Sequence, residues 1–124
     1  MEKIAFAMQL NAGQKQEYKK RHDAIWAELK TLLLEVGIRD YSIFLDEETN
    51  ILFAVLRRTD DHTMDRLPEE KIMRRWWEYM APIMKTREDH SPESRPLELV
   101  FHMDYMESRK NRGRYAANCN SSLT

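Results

Sequence analysis

Tyrosine, histidine and tryptophan side chains give this sequence a set of groups suited to chemistry on a small polar ligand. Tyr18 and His22 are four residues apart in a segment rich in Lys, Glu, Ala and Leu, so a helix would place both on one face. Trp76 and Trp77 are adjacent in a second helical segment, and Tyr41 begins a strand-like run. A histidine with a reference pKa of about 6.5 can donate or accept a proton near neutral pH. If these residues form one pocket, its aromatic walls and hydrogen-bond donors would suit a small sugar without identifying one.

Each of these residues also has a structural interpretation. A single histidine on a helix is often a hydrogen-bonded structural residue, and a tyrosine often lies at the edge of a core. The side chains of adjacent helical residues point about 100° apart, so the two indoles cannot share one core layer. This geometry favours one tryptophan packed in the core and the other lining a cavity.

Motifs for several other chemistries are missing from the sequence. It has three glycines and no Gly-rich phosphate loop, no CxxC pair and no GxSxG nucleophile motif. The four histidines, at positions 22, 62, 90 and 102, have no metal-ligand spacing among themselves. We therefore expect neither a metal nor another cofactor.

Length and composition indicate a single domain with a water-exposed surface. The chain has 124 residues, of which 42% are hydrophobic and 33% are charged, which is enough for a packed core. A net charge of −1 gives no sign of a nucleic-acid partner. No apolar run approaches the roughly 20 residues of a membrane-spanning helix. Because the chain has one cysteine, Cys119, and no signal-peptide pattern at its start, we expect a cytoplasmic protein.

The periodicity of apolar residues predicts six elements in the order β-α-β-β-α-β. The first half contains a strand at 3–10, a long helix at about 14–36 that ends at Gly37, and a hairpin of strands at 39–46 and 51–58. The second half contains an irregular charged stretch at 59–68, a helical region interrupted near Pro82, a loop at 85–96 and a last strand at 97–104. This order predicts an α+β, ferredoxin-like fold, with a four-stranded antiparallel sheet and both helices on one face.

Apolar residues on both faces of one predicted strand indicate a second contact surface. In the strand 51–58, Ile51, Phe53 and Val55 alternate with a second apolar set. That second set is Leu52, Ala54 and Leu56. Since one layer of helices covers only one face, we predict a homodimer in which the two sheets face each other.

A change in composition separates the end of the chain from the rest. Residues 105–124 carry a net charge of +3, lack an apolar pattern and end in Asn, Ser and Thr, whereas the preceding residues carry a net charge of −4. We therefore interpret 1–104 as the folded domain and 105–124 as a basic, flexible extension.

Five segments of the sequence resemble a known enzyme family, the L-rhamnose mutarotases. The segments are YKKRHDAIWAEL (18–29), DYSIFLD (40–46), ILFAVL (51–56), RRWWEYM (74–80) and HSPESRPLELVFHMD (90–104). The resemblance runs in register along 1–104. It implies a dimeric α/β barrel of the ferredoxin-like type that interconverts the α and β anomers of L-rhamnose without a cofactor.

The resemblance also implies roles for individual residues. It places the proton donor of the family at His22 and the sugar-binding positions at Tyr18, Tyr41, Trp76 and Trp77. Ring opening of a pyranose needs a general acid at the ring oxygen and a general base at the C1 hydroxyl. The base stays open at this point, with Asp40, His102 and a water molecule as candidates.

Three departures from the family pattern bear on the rim of the pocket. Met64 stands where members commonly carry Trp, Ala27 stands where Pro is common, and the loop at 85–90 differs from its usual NPDNSP form. A rival interpretation is a different dimeric α/β-barrel protein, such as a haem-binding protein, an oxygenase or a binding protein without catalytic activity, because this architecture hosts unrelated chemistry.

Overall fold

A computed structural model describes residues 1–105 of the chain. The predicted extension at 105–124 therefore lies outside the described residues except for Tyr105. The elements in chain order are β1 (Glu2–Gln9), α1 (Lys15–Asp23), α2 (Ala27–Glu35), β2 (Ile38–Asp46), β3 (Ile51–Arg58), α3 (Lys71–Met80) and β4 (Ser94–Leu97). Short 3-10 helices at Met64–Glu69 and Ala81–Ile83 flank α3.

The four strands form one antiparallel sheet in the order β2-β3-β1-β4, which confirms the predicted ferredoxin-like α+β fold. The face of the sheet that packs against the helices, here called the inner face, carries the most buried residues of β3. These residues are Leu52, Ala54 and Leu56, each at most 1% exposed. On the opposite outer face, Phe44 pairs with Phe53 across β2 and β3 and is 64% exposed. Both faces of β3 are therefore apolar, and helices cover only one of them.

The prediction of one long helix at 14–36 is wrong. The chain forms α1 and α2, separated by a break in which Trp26 has an extended backbone, with φ −62° and ψ 132°. Helix propensity is a weak preference that tertiary contacts override. Here the break coincides with the packing of the Trp26 ring against Trp76 and Tyr79. The predicted stop at Gly37 is confirmed: its φ is +102°, and a Cβ there would lie 2.4 Å from the Thr59 hydroxyl oxygen.

The prediction of a last strand at 97–104 is also wrong. β4 is the short segment Ser94–Leu97, which pairs with residues 5–8 of β1, and residues 98–104 leave the sheet. The alternating sequence of 97–104 is typical of a strand, but alternation does not specify which strand it pairs with. Leu99, Val100 and Phe101 are consequently 64%, 89% and 78% exposed.

The connection between β3 and α3 is more regular than predicted. The stretch at 59–68 was expected to be irregular, but Met64–Glu69 forms a 3-10 helix that contains Pro68. The predicted interruption near Pro82 is confirmed, because α3 ends at Met80 and a 3-10 turn follows. Within the described residues, no helix is long and apolar enough to cross a membrane.

Candidate active site

A cavity of about 1180 Å³ lies between the helices and the inner face of the sheet. All five residues singled out in the sequence line it: Tyr18, His22, Tyr41, Trp76 and Trp77. They come from α1, β2 and α3, so the fold brings together residues that are up to about 60 positions apart in the chain. The single pocket considered from the sequence is therefore present.

The helix α1 holds Tyr18 and His22 on one face, as their spacing predicts. Their rings stack with centroids 4.2 Å apart and an interplanar angle of 27°. The His22 Nδ1–H donates a hydrogen bond to the main-chain carbonyl oxygen of Tyr18, at 3.1 Å. A carbonyl oxygen can only accept, so the neutral ring carries its proton on Nδ1 and leaves a lone pair on Nε2.

Burial sets the charge of His22. Loss of solvent around the ring lowers the pKa of His22 below its ordinary value of 6.5. The carbonyl of Tyr18 and the nearby carboxylate of Asp23 oppose this change without reversing its direction. The resting ring is therefore neutral at pH 7, with Nε2 ready to accept a proton.

An aromatic cluster fixes His22 from the other side. Trp76 meets the His22 ring edge-on, with centroids 5.3 Å apart, and meets Trp26 in the same way at 5.1 Å. Tyr79 packs on both indoles at 5.5 and 5.7 Å, and the Arg21 guanidinium lies 4.2 Å above the Tyr79 ring. T-shaped and tilted ring pairs of this kind are favourable beyond the area they bury. The cluster therefore ties α1, α2 and α3 together behind the cavity.

The two adjacent tryptophans divide their roles in part as predicted. Trp76 is only 6% exposed and belongs to the buried core, whereas Trp77 is partly buried and packs against the edge of that core. Both indoles nevertheless line the cavity. Trp26 lies outside the helical row of Tyr18 and His22, because α1 ends at Asp23.

A β-bulge accompanies Tyr41 in β2. The register of β2 against β3 shifts between Arg39 and Ser42, so that Asp40 and Tyr41 together oppose Leu56 on the inner face. Asp40 has a positive φ of 50°, a conformation that Asp tolerates better than most residues. The extra residue is taken up at this point, and Tyr41 lines the cavity.

Both tyrosine hydroxyls of the cavity stay protonated at any physiological pH. Burial around its hydroxyl raises the pKa of Tyr41 to about 12, although 39% of the residue surface is exposed. Burial and, to a lesser extent, the neighbouring Tyr41 raise the pKa of Tyr18. Neither hydroxyl has a hydrogen-bond partner among residues 1–105, so both can serve a ligand.

The structure separates the candidates for a second proton-transfer group. Asp40 lines the cavity, but its Oδ2 lies 3.9 Å from Nε of Arg57 and its side chain is largely exposed. His102 lies in the exposed segment that follows β4 and is not part of the cavity wall. Within the described part of the chain, no three His, Cys, Asp or Glu side chains are grouped closely enough to hold a metal ion.

Sequence reasoning missed two polar residues of the cavity wall, whereas it had assigned Met64 to the rim of the pocket. Asp89 and Ser91 line the cavity from the loop that precedes β4, and Met64 lines it from the 3-10 helix before α3. The signal for the first pair was the Asp-x-Ser spacing, which is typical of a side chain that caps its own turn. Met64 and the loop at 85–90 are also places where the sequence departs from the family pattern, so these two departures lie on this cavity, whereas Ala27 does not line it.

Comparisons with known proteins identify the family. The profile of the L-rhamnose mutarotase family matches residues 3–103. A protein named L-rhamnose mutarotase from Sinorhizobium fredii is 60% identical over 103 residues, which cover 83% of this chain and 99% of that protein. One with the same name from a Jannaschia species is 59% identical over the same shares of both chains.

A solved structure agrees with these sequence matches. The crystal structure of an L-rhamnose mutarotase from Formosa agariphila superposes with a TM-score of 0.78 and 51% identity, and the match covers 84% of this chain and 100% of that one. The fold, the profile match and these identities lead to one conclusion. The chain belongs to the L-rhamnose mutarotase family.

Proposed function

We propose that this protein interconverts the α and β anomers of L-rhamnose by opening and closing the pyranose ring. The observation that carries the proposal is the convergence of Tyr18, His22, Tyr41, Trp76 and Trp77 on one cavity of a chain from this family. The relatives named L-rhamnose mutarotase align with this chain over nearly their whole length. Imidazole, phenol and indole supply proton transfer, hydrogen bonds and apolar stacking, which together suffice for this reaction.

His22 carries the proton in the proposed mechanism. The C1 hydroxyl and the ring oxygen O5 are bonded to the same carbon, so one group can reach both. Neutral Nε2 takes the proton of the C1 hydroxyl, and the imidazolium delivers it to O5 as the C1–O5 bond breaks and the C1 carbonyl forms. After rotation about C1–C2, the same steps in reverse close the ring on the other face. This relay keeps His22 as the donor to O5 and requires no second residue as base.

The remaining residues bind and orient the sugar. Tyr18 and Tyr41 present neutral hydroxyls that can donate to sugar oxygens, where negative charge develops during ring opening. Trp76 and Trp77 give apolar surface for the C–H face of the ring or for the C6 methyl group of a 6-deoxy sugar. Smooth aromatic walls also allow the open aldehyde to rotate, which a tight polar clamp would hinder.

Exchange NMR on L-rhamnose at anomeric equilibrium tests this function. Saturation of the α anomeric signal should transfer to the β signal faster with enzyme than without it, and L-fucose and D-glucose serve as control sugars. Equal transfer rates with and without enzyme would overturn the proposal. A protein that binds L-rhamnose without accelerating exchange would be a binding protein, the alternative that the family match does not favour.

We also propose that the protein is a cytoplasmic homodimer in which the outer faces of the two sheets meet. The outer face presents Phe44 and Phe53, and the segment 98–104 adds further exposed apolar side chains. A second copy of the chain would bury this apolar surface. Sedimentation velocity at micromolar concentration should give the mass of a dimer. Phe44→Glu should give a monomer, whereas Leu34→Glu, at an exposed apolar residue on α2, should remain a dimer. A monomeric wild-type protein would contradict the proposal.

A further inference from the structure

Three carboxylates line the cavity, and two of them are paired with cations. The Oδ2 atom of Asp23 accepts a hydrogen bond from Nζ of Lys19 at 2.8 Å. Asp40 has Arg57 as its cationic neighbour at 3.9 Å. Asp89, the third, forms no salt bridge within residues 1–105. Asp89 is therefore the one of the three carboxylates that no salt bridge engages among the described residues, although the charge of nearby Arg87 helps to lower its pKa.

Hydrogen bonds from one residue fix the orientation of Asp89. Its Oδ1 accepts from both the main-chain N–H of Ser91, at 3.0 Å, and the Ser91 hydroxyl, at 2.5 Å. Ser91 is only 8% exposed, so this support is anchored in the protein. The same bonds lower the pKa of Asp89, which keeps the carboxylate ionised and makes it a weak base. Both Ser91 donors bind Oδ1, so Oδ2 accepts no hydrogen bond from another described residue.

The loop that carries Asp89 is held in a closed shape. The main-chain N–H of Arg87 donates to the carbonyl of Ser91 at 2.8 Å. The Arg87 guanidinium donates to the carbonyls of Pro92 and Ser94, at 2.7 and 3.0 Å. Three hydrogen bonds from Arg87 thus span the turn. Asp89 is exposed at the mouth of the cavity, but its position is fixed before a ligand arrives.

Sugar hydroxyls need acceptors as well as donors. The tyrosine hydroxyls and the ring edges of the cavity supply donors, and Nε2 of His22 is committed to the reacting proton. We infer that Asp89 is a sugar-binding and specificity-determining residue, whose free Oδ2 accepts a hydrogen bond from a hydroxyl of the pyranose away from C1. This inference rests on the proposed function, since it assigns a further contact in the same site. It gives Asp89 no part in proton transfer.

Asp89→Asn changes the free oxygen with little other disturbance. The amide oxygen of Asn can still accept both hydrogen bonds from Ser91, while Nδ2 replaces the free acceptor by a donor. Glu88→Gln is the matched control, because Glu88 is an exposed carboxylate next to Asp89 that does not line the cavity. We expect Asp89→Asn to raise KM for L-rhamnose about tenfold, as for loss of a hydrogen bond to a charged group, and to change kcat less than about twofold. Glu88→Gln should match the wild type.

Deoxy analogues of L-rhamnose identify the hydroxyl that Asp89 binds. One of the analogues that lack the C2, C3 or C4 hydroxyl should bind the wild type about tenfold more weakly than L-rhamnose does. The Asp89→Asn substitution should not weaken the binding of that analogue any further. If Asp89→Asn has the wild-type KM for L-rhamnose, or if the substitution lowers only kcat, the inference is overturned. An active wild type with an unaffected Asp89→Asn variant refutes this inference alone. A wild type that binds L-rhamnose without turnover refutes the proposed function, and the dissociation constants of the two proteins then still test Asp89.

Discussion

The cavity has two walls that differ in how firmly the fold holds them. The helical wall consists of Tyr18, His22 and Trp76, whose rings contact one another and belong to or border the buried core. The rim consists of Tyr41, Met64 and Asp89, which come from a bulge, a 3-10 helix and a loop. The helical wall is suited to proton transfer, which requires fixed geometry, and the rim is suited to choosing the sugar. Substitutions can test this division.

Loss of the imidazole should have the largest effect. His22→Gln removes the group that exchanges a proton with C1 and O5, and we expect kcat to fall by about a hundredfold to ten-thousandfold with a small change in KM. Exchange NMR over a range of L-rhamnose concentrations measures both constants. His102→Gln, in the exposed segment after β4, should keep wild-type kcat. A comparable loss in His102→Gln would contradict the relay through His22 alone.

The two adjacent tryptophans should differ in how much each stabilises the fold. Trp76→Ala removes an indole that is 6% exposed, and we expect the free energy of unfolding to fall by about 3–5 kcal/mol. Trp77→Ala removes a partly buried indole and should cost about 1 kcal/mol. Urea unfolding followed by circular dichroism at one protein concentration measures both. Equal losses would show that the helical wall is no more firmly held by Trp76 than by Trp77.

The pH dependence of kcat/KM should report the buried state of His22. The relay starts from the neutral ring, and burial lowers the pKa of His22 below 6.5. We therefore expect kcat/KM to stay constant as the pH falls to 6.5 and to decrease about tenfold per pH unit only below that lowered pKa. The free energy of unfolding should also decline below pH 6.5, because His22 binds a proton more readily in the unfolded chain than in the folded protein. A pH profile of kcat/KM with its midpoint at or above 6.5, after subtraction of the uncatalysed rate, would contradict the buried environment of His22.

Removal of a hydroxyl group on the rim should have the smallest effect. Tyr41→Phe removes one hydrogen-bond donor and keeps the ring, so we expect KM to rise about twofold to tenfold with kcat nearly unchanged. Tyr79→Phe is the control, since Tyr79 packs on the aromatic cluster without lining the cavity. If Tyr41→Phe instead lowers kcat as strongly as His22→Gln, the division between the helical wall and the rim is wrong.

The sequence predicted the residues of the helical wall because their positions follow from local periodicity. The four-residue spacing of Tyr18 and His22 places both on one turn of helix, and this contact is present. The order of strands and helices then predicts the sheet on which the helices pack. Tyr41, Trp76 and Trp77 were candidates by residue type, and the resemblance implied that they bind the sugar. Their proposed roles remain predictions.

The features that the sequence did not reveal depend on contacts between distant segments. The break before Trp26 has no glycine or proline to announce it and coincides with packing against α3. The strand-like run at 97–104 carries the right alternation, but only Leu97 of it pairs with β1. Asp89 belongs to no recognised motif in the sequence, and its proposed role rests on the cavity and on the hydrogen bond to Ser91.

The bulge at Asp40 also bears on how copies of this protein can associate. β2 and β4 are the two edge strands of the sheet, and an edge with free N–H and C=O groups can recruit further strands without limit. The bulge and the charged Asp40 interrupt one edge, while β4 is four residues long and contains Pro96, which has no N–H to donate. Edge-to-edge growth into fibrils is therefore disfavoured on both sides. The proposed association through the outer face would instead end after two copies.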